Sequence, residues 1–404
     1  MGKVLFLAHR VPFPPDKGDK IRAYHLLKHL AARHEVWLGA GADDLADLRH
    51  EAAAREICKD VHFAPLGPIR RRANLLAGLP RGAPLSVARF RHPELARWTR
   101  RVLSEVRPDL VFVFSSAMAQ YVVERGGAAT RLIVDFCDCD AEKWRAYADT
   151  APPGMRAIYR REFERLVKFE AGVLAAAEAG VLISKTERKL LADFLPAGAH
   201  KLHVMPNGVD VDYFAPAAEP AGDQPLIVLC GRMDYPPNID GARWFAQEIL
   251  PRVRRRRPDA VFRIVGAAPA PTVRALAALP GVEVTGAVPD VRPHLDAAAV
   301  VVAPLRIARG IQNKVLEGMA AGRPVVATPQ ALDGIDAVAG RDVLTGADAD
   351  GFAAAVSDVL TGAAPSDLAV NGRACVLRRH QWSAQLRTLD DLIGRLGVSA
   401  EAAA

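Results

Sequence analysis

Cysteine is scarce in this chain and does not pair by spacing. The 404 residues hold five, at Cys58, Cys137, Cys139, Cys230 and Cys375, an odd number without a CxxC motif. That argues against a disulfide framework or a zinc ribbon and suits reduced thiols in a cytosolic protein. Metal-ligand spacing is missing elsewhere too, so no metal is expected. Long apolar runs are absent: nothing approaches the roughly 18 residues that span a bilayer, and residues 4–8 are too short for a signal core. The expected location is therefore the cytoplasm. No strand is followed by a good GxGxxG, which ranks a dinucleotide oxidoreductase low. The net charge of +7 comes without a recognisable nucleic-acid module, so no nucleic-acid partner is expected.

Core material, by contrast, is ample. Half of the residues are hydrophobic, and the length exceeds the roughly 250 to 300 residues at which single cores stop growing. Apolar strands alternate with helical stretches in both halves, which predicts an α/β fold with parallel sheets covered on both faces. The expected strands are 4–8, 35–40, 61–64, 110–114, 131–135, 179–183 and 201–204, then 226–230, 262–265, 282–285, 300–303, 324–327 and 343–344. The corresponding domains are 1–206 and 207–379, with residues 380–404 as a last helix crossing back to the first domain and a tail. Residues 212–224, rich in Pro and Ala, read as the hinge segment.

The densest chemistry lies in residues 309–327, RGIQNKVLEGMAAGRPVVA. Gly310 permits close backbone approach, and the amides of Ile311, Gln312 and Asn313 are read as unsatisfied helix-start donors at the positive end of the dipole. Lys314 adds a cation. Glu317, three residues on and on the same face, offers a carboxylate to vicinal hydroxyls. An anion site beside a diol acceptor describes a nucleotide. A second segment, VMPNGVDVDYF at 204–214, reads as a sharp turn in which Asn207 and Gly208 take left-handed dihedrals.

These two segments resemble the nucleoside-diphosphate helix and the PNGVD signature of glycosyltransferase family four. PFPPDKGDKIR at 12–22, DFCDCDAEKWRAYA at 135–148 and GRMDYPPNIDG at 231–241 resemble the subgroup of sugar transferases found with the PEP-CTERM/exosortase system and exopolysaccharide clusters. The resemblance implies the GT-B fold: two Rossmann-like domains facing across a cleft, with the last helix crossing back. It implies a retaining transfer from a nucleotide sugar to a glycan acceptor, lipid-linked in this subgroup, in which the leaving phosphate takes the acceptor proton on the same face. Arg232 and Lys314 would then stabilise the departing diphosphate without a metal. Gly18, Arg232, Gly310, Ile311, Gln312, Asn313, Lys314 and Glu317 are the expected donor-binding residues. His9, Asp16, Lys17, Asp138, Asp140, Lys143 and Trp144 are the acceptor-side candidates.

Three departures from the family pattern stand out. Arg309 occupies the place of a family carboxylate that contacts the sugar. The Lys expected shortly after Arg232 is absent from MDYPPNID. The His after the fourth strand is missing from FSSAMAQY at 114–121, leaving Ser115 and Ser116, so no catalytic base is assignable. Asp138 and Asp140 would also suit glycoside hydrolysis, with a separation the sequence does not give. The alternatives are a nucleotide-sugar epimerase of similar fold and a non-catalytic nucleotide or glycan binder. Finally, residues 61–107 hold ten Arg against Glu94 and Glu105, interleaved with apolar residues. This stretch is expected to meet an anionic membrane on its inner face, as a peripheral contact.

Overall fold

A computed structural model describes residues 2–15, 17–78, 82–123, 131–217, 224–308 and 310–398. Asp16 and Arg309, singled out above, and Arg81 of the Arg-rich stretch lie outside the described residues. The chain forms two compact units. One takes the residues up to Met205 together with those from Leu386 on, and the other is Pro206–Gln385.

The first unit is built on seven parallel strands: β1 (Gly2–Ala8), β2 (His34–Ala42), β3 (Asp60–Pro65), β4 (Leu110–Phe114), β5 (Arg131–Cys137), β6 (Ala179–Leu182) and β7 (Leu202–Val204), in the order β3-β2-β1-β4-β5-β6-β7. Strand segments such as VLFLA and LVFVF are continuous apolar runs because helices cover both faces of the sheet. Phe6 lies opposite Phe112 in the β1–β4 register, and their rings stack at 5.2 Å.

The second unit repeats the scheme with six strands: β8 (Leu226–Cys230), β9 (Val261–Val265), β10 (Val282–Gly286), β11 (Val300–Ala303), β12 (Val325–Ala327) and β13 (Leu344–Thr345), ordered β10-β9-β8-β11-β12-β13. All of its pairings are parallel. Both orders reverse direction beside their first strand, at β1/β4 and at β8/β11. Open α/β sheets bind ligands at such switch points, outside the carboxyl ends of the strands. The loops after β8 and β11 carry Arg232 and Gly310 to Gln312, the second leading into the helix of Lys314.

Two local readings need correction. Neither Asn207 nor Gly208 adopts a positive φ, so residues 206–208 are not the expected left-handed turn. The segment runs beside residues 380–381 instead: Val209 N donates to His380 O at 2.7 Å and Val209 bridges Gln381 in parallel. Glycine is required at 208 because a Cβ there would meet the Trp382 backbone nitrogen at 2.5 Å. The last helical stretch, expected as one piece over 380–396, is two helices, Trp382–Gln385 and Arg387–Arg395. The second joins the first unit through His29 Nε2 and Asp390 Oδ1 at 2.7 Å and through buried Leu389, Leu392 and Ile393.

Candidate functional site

In the second unit the site begins with glycines. Gly231 follows β8 at φ +153°, and Gly266 follows β9 at φ +152°, a backbone conformation that L side chains rarely adopt. A Cβ on Gly266 would sit 1.7 Å from Gly231 O, so the two strand ends approach each other only as glycines. A Cβ on Gly231 would sit 2.7 Å from Asn238 Nδ2 and 3.5 Å from Lys314 Cε. The missing side chain therefore makes room for both the lysine stem and Asn238. Buried Asn238 donates from Nδ2 to the Arg232 carbonyl at 2.8 Å, which fixes the backbone that presents Arg232.

Arg232 is part-exposed and holds Asp234 through two bonds, Nε to Oδ1 at 3.1 Å and Nη2 to Oδ2 at 2.5 Å. That pairing takes up one edge of the guanidinium, a group whose planar fork suits bidentate phosphate contact. On the other side of the switch point, the helix opens at Asn313 and runs to Ala320, three residues later than Gly310, so the glycine belongs to the approach loop. Gly310 takes φ +67°, in the left-handed region. Gln312 Nε2 donates back to Gly310 O at 3.0 Å and Val315 N donates to Gln312 O at 3.0 Å, while no side chain caps the helix start, the end of a helix that suits an anion. The Ser184 and Asp348 hydroxyl and carboxylate close the equivalent donors of their own helices. Ile311 is buried, and the Asn313 Oδ1 atom is buried without a partner. The helix sits tightly on its sheet, since a Cβ on Gly318 would meet Val301 Cγ1 at 3.0 Å.

Burial shapes the titration of this cluster. It pushes the Lys314 ammonium down to about 8, against the opposing pull of Glu317 and Cys230. The same cause raises the Glu317 carboxyl to about 7, with Lys314 working against it. The Cys230 thiol at the end of β8 rises to about 12, so it stays protonated and packs as a small apolar group. Lys314 and Glu317 thus change charge near neutral pH, as groups gathered in functional clefts commonly do.

In the first unit the loop after β1 forms an ion network. His9 Nε2 lies 3.3 Å from Asp19 Oδ2, Arg10 pairs with the same carboxylate, and Arg10 Nε reaches Asp43 Oδ2 at 2.9 Å. Burial would raise Asp19, yet the bond from His9 and the charge of Arg10 hold its carboxyl well below the usual range. His9 is clasped by the rings of Phe90 and Phe114 at 5.5 and 5.4 Å. Lys17 precedes the Gly18–Ala31 helix without capping it by its side chain, and a Cβ on Gly18 would meet nothing within 4 Å. Packing within the chain therefore does not demand glycine at 18.

The carboxylates of Asp138 and Asp140 are bridged by Lys143 Nζ, at 3.1 and 2.8 Å, which ties the loop after β5 to the following helix Asp140–Thr150. Trp144 on that helix belongs to an aromatic group with Tyr147 and Tyr159, centroids 5.9 and 5.6 Å away. Sequence reading missed what lies beneath them. Glu170, wholly buried on the Pro153–Ala176 helix, accepts from Ser116 Oγ at 3.0 Å, and burial pushes its carboxyl up to about 8. Arg22 and Asp135, both fully buried, pair at 2.7 Å. Gly231, Gly266 and Asn238 were also missed, although a glycine directly after each of two apolar strands was a usable signal.

The Arg-rich stretch divides by role. Arg101 pairs with Asp60 at 2.9 Å, and Arg97 lies 3.8 Å from Glu94, whereas the Pro68–Gly78 helix exposes Arg70 and Arg72 beside Ile69 and Leu76.

Residues 18–213 match the family model described as Glycosyltransferase Family 4, and residues 224–362 match Glycosyl transferases group 1. The two matches take in most of both units, and the chain belongs to the family-four glycosyltransferases, of GT-B fold. A GDP-mannose-dependent alpha-(1-6)-phosphatidylinositol monomannoside mannosyltransferase of Mycolicibacterium smegmatis is 29% identical over 246 residues, which span 54% of this chain and 62% of that protein. Among solved structures, HepE of Anabaena in complex with UDP superposes with TM-score 0.66 at 15% identity, covering 97% of this chain and 100% of that one. Sucrose-phosphate synthase from Thermosynechococcus elongatus gives 0.69 at 19% identity, covering 98% and 99%. At these identities the structures speak for the fold.

Proposed function

We propose that this protein is a retaining glycosyltransferase that takes a sugar from a nucleotide-sugar donor bound by its second unit and passes it to a glycan acceptor recognised by its first. The observation that carries the reading is the convergence, at the β8/β11 switch point, of Arg232, Lys314, Glu317 and uncapped helix-start amides. The guanidinium, the ammonium and the amides suit a diphosphate, and the carboxylate suits the ribose diol. As the glycosidic bond to the diphosphate breaks, Arg232 and Lys314 stabilise the charge that develops on the leaving group. The acceptor hydroxyl gives its proton to a leaving phosphate oxygen on the same face, so the protein supplies position and charge rather than a base, and no metal.

The names of two similar proteins, one dependent on GDP-mannose and one bound to UDP, support a nucleotide-sugar donor and leave the base open. We assign the acceptor to the lipid-linked glycans of exopolysaccharide assembly, met at the inner face of the membrane, in line with the subgroup resemblance. Among the described residues no helix is long and apolar enough to cross a membrane, so any such contact is peripheral.

A thermal-shift panel of UDP, GDP, ADP and their sugars tests the donor reading. A ligand at one hundred times its dissociation constant stabilises the native state by about 2.7 kcal/mol. A shift with none of them overturns the assignment. Product analysis then separates transfer, which leaves a lengthened acceptor, from epimerisation, which leaves an altered nucleotide sugar.

A further inference from the structure

A cavity of about 490 Å³ opens in the first unit, and its lining combines guanidiniums with apolar and aromatic side chains. The Pro68–Gly78 helix brings Arg71 and Arg72, with Leu75 one turn beyond Arg71, and the end of the Leu85–Ala88 helix brings Arg89; the Asp140–Thr150 and Pro153–Ala176 helices bring Trp144, Ile158 and Tyr159. The guanidinium charge is under-compensated. Arg71 lies 3.8 Å from Asp43, and among the described residues Arg72 and Arg89 have no ion pair. Burial lowers the Arg89 guanidinium, and the neighbouring Arg10 and Arg71 push the same way.

The one acid in the lining, Glu162, does not neutralise them. Its carboxylate already accepts from Leu85 N at 2.6 Å and from Ser86 N and Oγ at 2.7 and 2.6 Å, pinning the Leu85–Ala88 helix to the Pro153–Ala176 helix. Three guanidiniums whose one ion-paired acid, Asp43, is shared with Arg10 call for an anion, and Arg forks match phosphate oxygens. Apart from Glu162, the wall from the Asp140–Thr150 and Pro153–Ala176 helices is apolar and aromatic, and Ile158 on it is 44% exposed. A free phosphate would leave that wall uncovered; a neutral chain would leave the guanidiniums unmatched.

Position adds to chemistry. The Pro68–Gly78 helix follows β3 and the Asp140–Thr150 helix follows β5, so the cavity belongs to the carboxyl-edge side of its sheet. We propose that this cavity binds a phosphate-headed amphiphile, the diphosphate on Arg71, Arg72 and Arg89 and the chain over Leu75, Tyr159 and Ile158, and that this is how the acceptor is held. This rests on the glycosyltransferase reading and deepens it by giving the acceptor a charged head and an apolar tail.

The test is calorimetric titration of the full chain with farnesyl diphosphate, farnesol and inorganic diphosphate, in parallel with the nucleotide found by the thermal-shift panel. Farnesyl diphosphate should bind at least about tenfold more tightly than either fragment. Arg72→Ala combined with Arg89→Ala should lose at least about tenfold of that affinity, and Tyr159→Ala several-fold, with nucleotide affinity unchanged in both. Arg72 is exposed, so Arg72→Ala alone serves as a variant that leaves the core intact. Equal binding of farnesol, or wild-type affinity in the double variant, overturns the proposal. Displacement of farnesyl diphosphate by phosphatidylglycerol vesicles as readily as by a second prenyl diphosphate would overturn the acceptor assignment, making the site a sensor of membrane phosphate. Because nucleotide binding is read on the same samples, loss of the cavity proposal and loss of the donor reading give different results.

Discussion

Nucleotide affinity should peak between about pH 7 and 8 and fall on the acid side through Glu317. Burial raises this carboxyl to about 7, while the role proposed for it at the ribose diol takes it ionised. At that value the ionised fraction falls from about three quarters at pH 7.5 to about 3% at pH 5.5, a loss of about 25-fold in affinity. That corresponds to about 1.9 kcal/mol, inside the about 1.5 to 3 kcal/mol that a hydrogen bond to a charged group contributes. The nucleotide's own phosphate also titrates near pH 6, so the wild-type curve alone is ambiguous. Glu317→Gln separates the two, since it keeps shape and removes the titration. Calorimetric titrations from pH 5.5 to 9 on both proteins decide it. The variant should bind more weakly at pH 7.5 and converge with wild type toward pH 5.5. Parallel curves of equal affinity would remove Glu317 from the site.

On the alkaline side, the Lys314 ammonium, lowered to about 8 by burial, should lose charge and weaken binding above that pH, a limb that Lys314→Ala abolishes in the same titrations. Arg232→Ala and Lys314→Ala should each reduce donor turnover by tenfold or more in a protein whose circular dichroism is unchanged, and wild-type turnover should survive EDTA. Activity lost to chelator and restored by magnesium or manganese would show the cationic account to be incomplete. Glu170, raised to about 8 by burial, stabilises the fold most when protonated, so that contribution is present below its ordinary range and lost as pH rises through about 8. Glu170→Gln should therefore gain melting temperature over wild type at pH 8.5 relative to pH 5.5, and equal differences at the two pH values would refute it. Gly266→Ala places a methyl group 1.7 Å from Gly231 O and should cost more than about 2 kcal/mol in urea unfolding.

Each described strand lies on a stretch already legible as strand, because strands buried on both faces are written as apolar runs with little polar interruption. Leu226–Cys230 and Val300–Ala303 are of this kind. The helix of Lys314 and Glu317 was equally plain, since a three-residue spacing fixes a shared face without knowledge of the rest of the fold. Pairings distant in sequence were not legible. Nothing in PNGVD announces that Gly208 must clear Trp382. Glu170 looks like one of several charges on a long helix, and its burial depends on which face meets Ser116. The cavity draws on the segments after β3 and β5 and on the Pro153–Ala176 helix, which meet through helix packing such as the Glu162 bonds to Leu85 and Ser86.

The path of the chain through its two units also bears on synthesis. The second unit is continuous, Pro206–Gln385, whereas the first is interrupted and regains its final helix only from Leu386 onward. Chains emerge from the ribosome amino end first, so the unit begun earliest is completed last. Until Leu389, Leu392 and Ile393 emerge, the nascent first unit lacks three apolar side chains, each worth roughly 1.5 to 3 kcal/mol when buried. A chain cut short at residue 385 would contain all of the second unit but a first unit without its final helix.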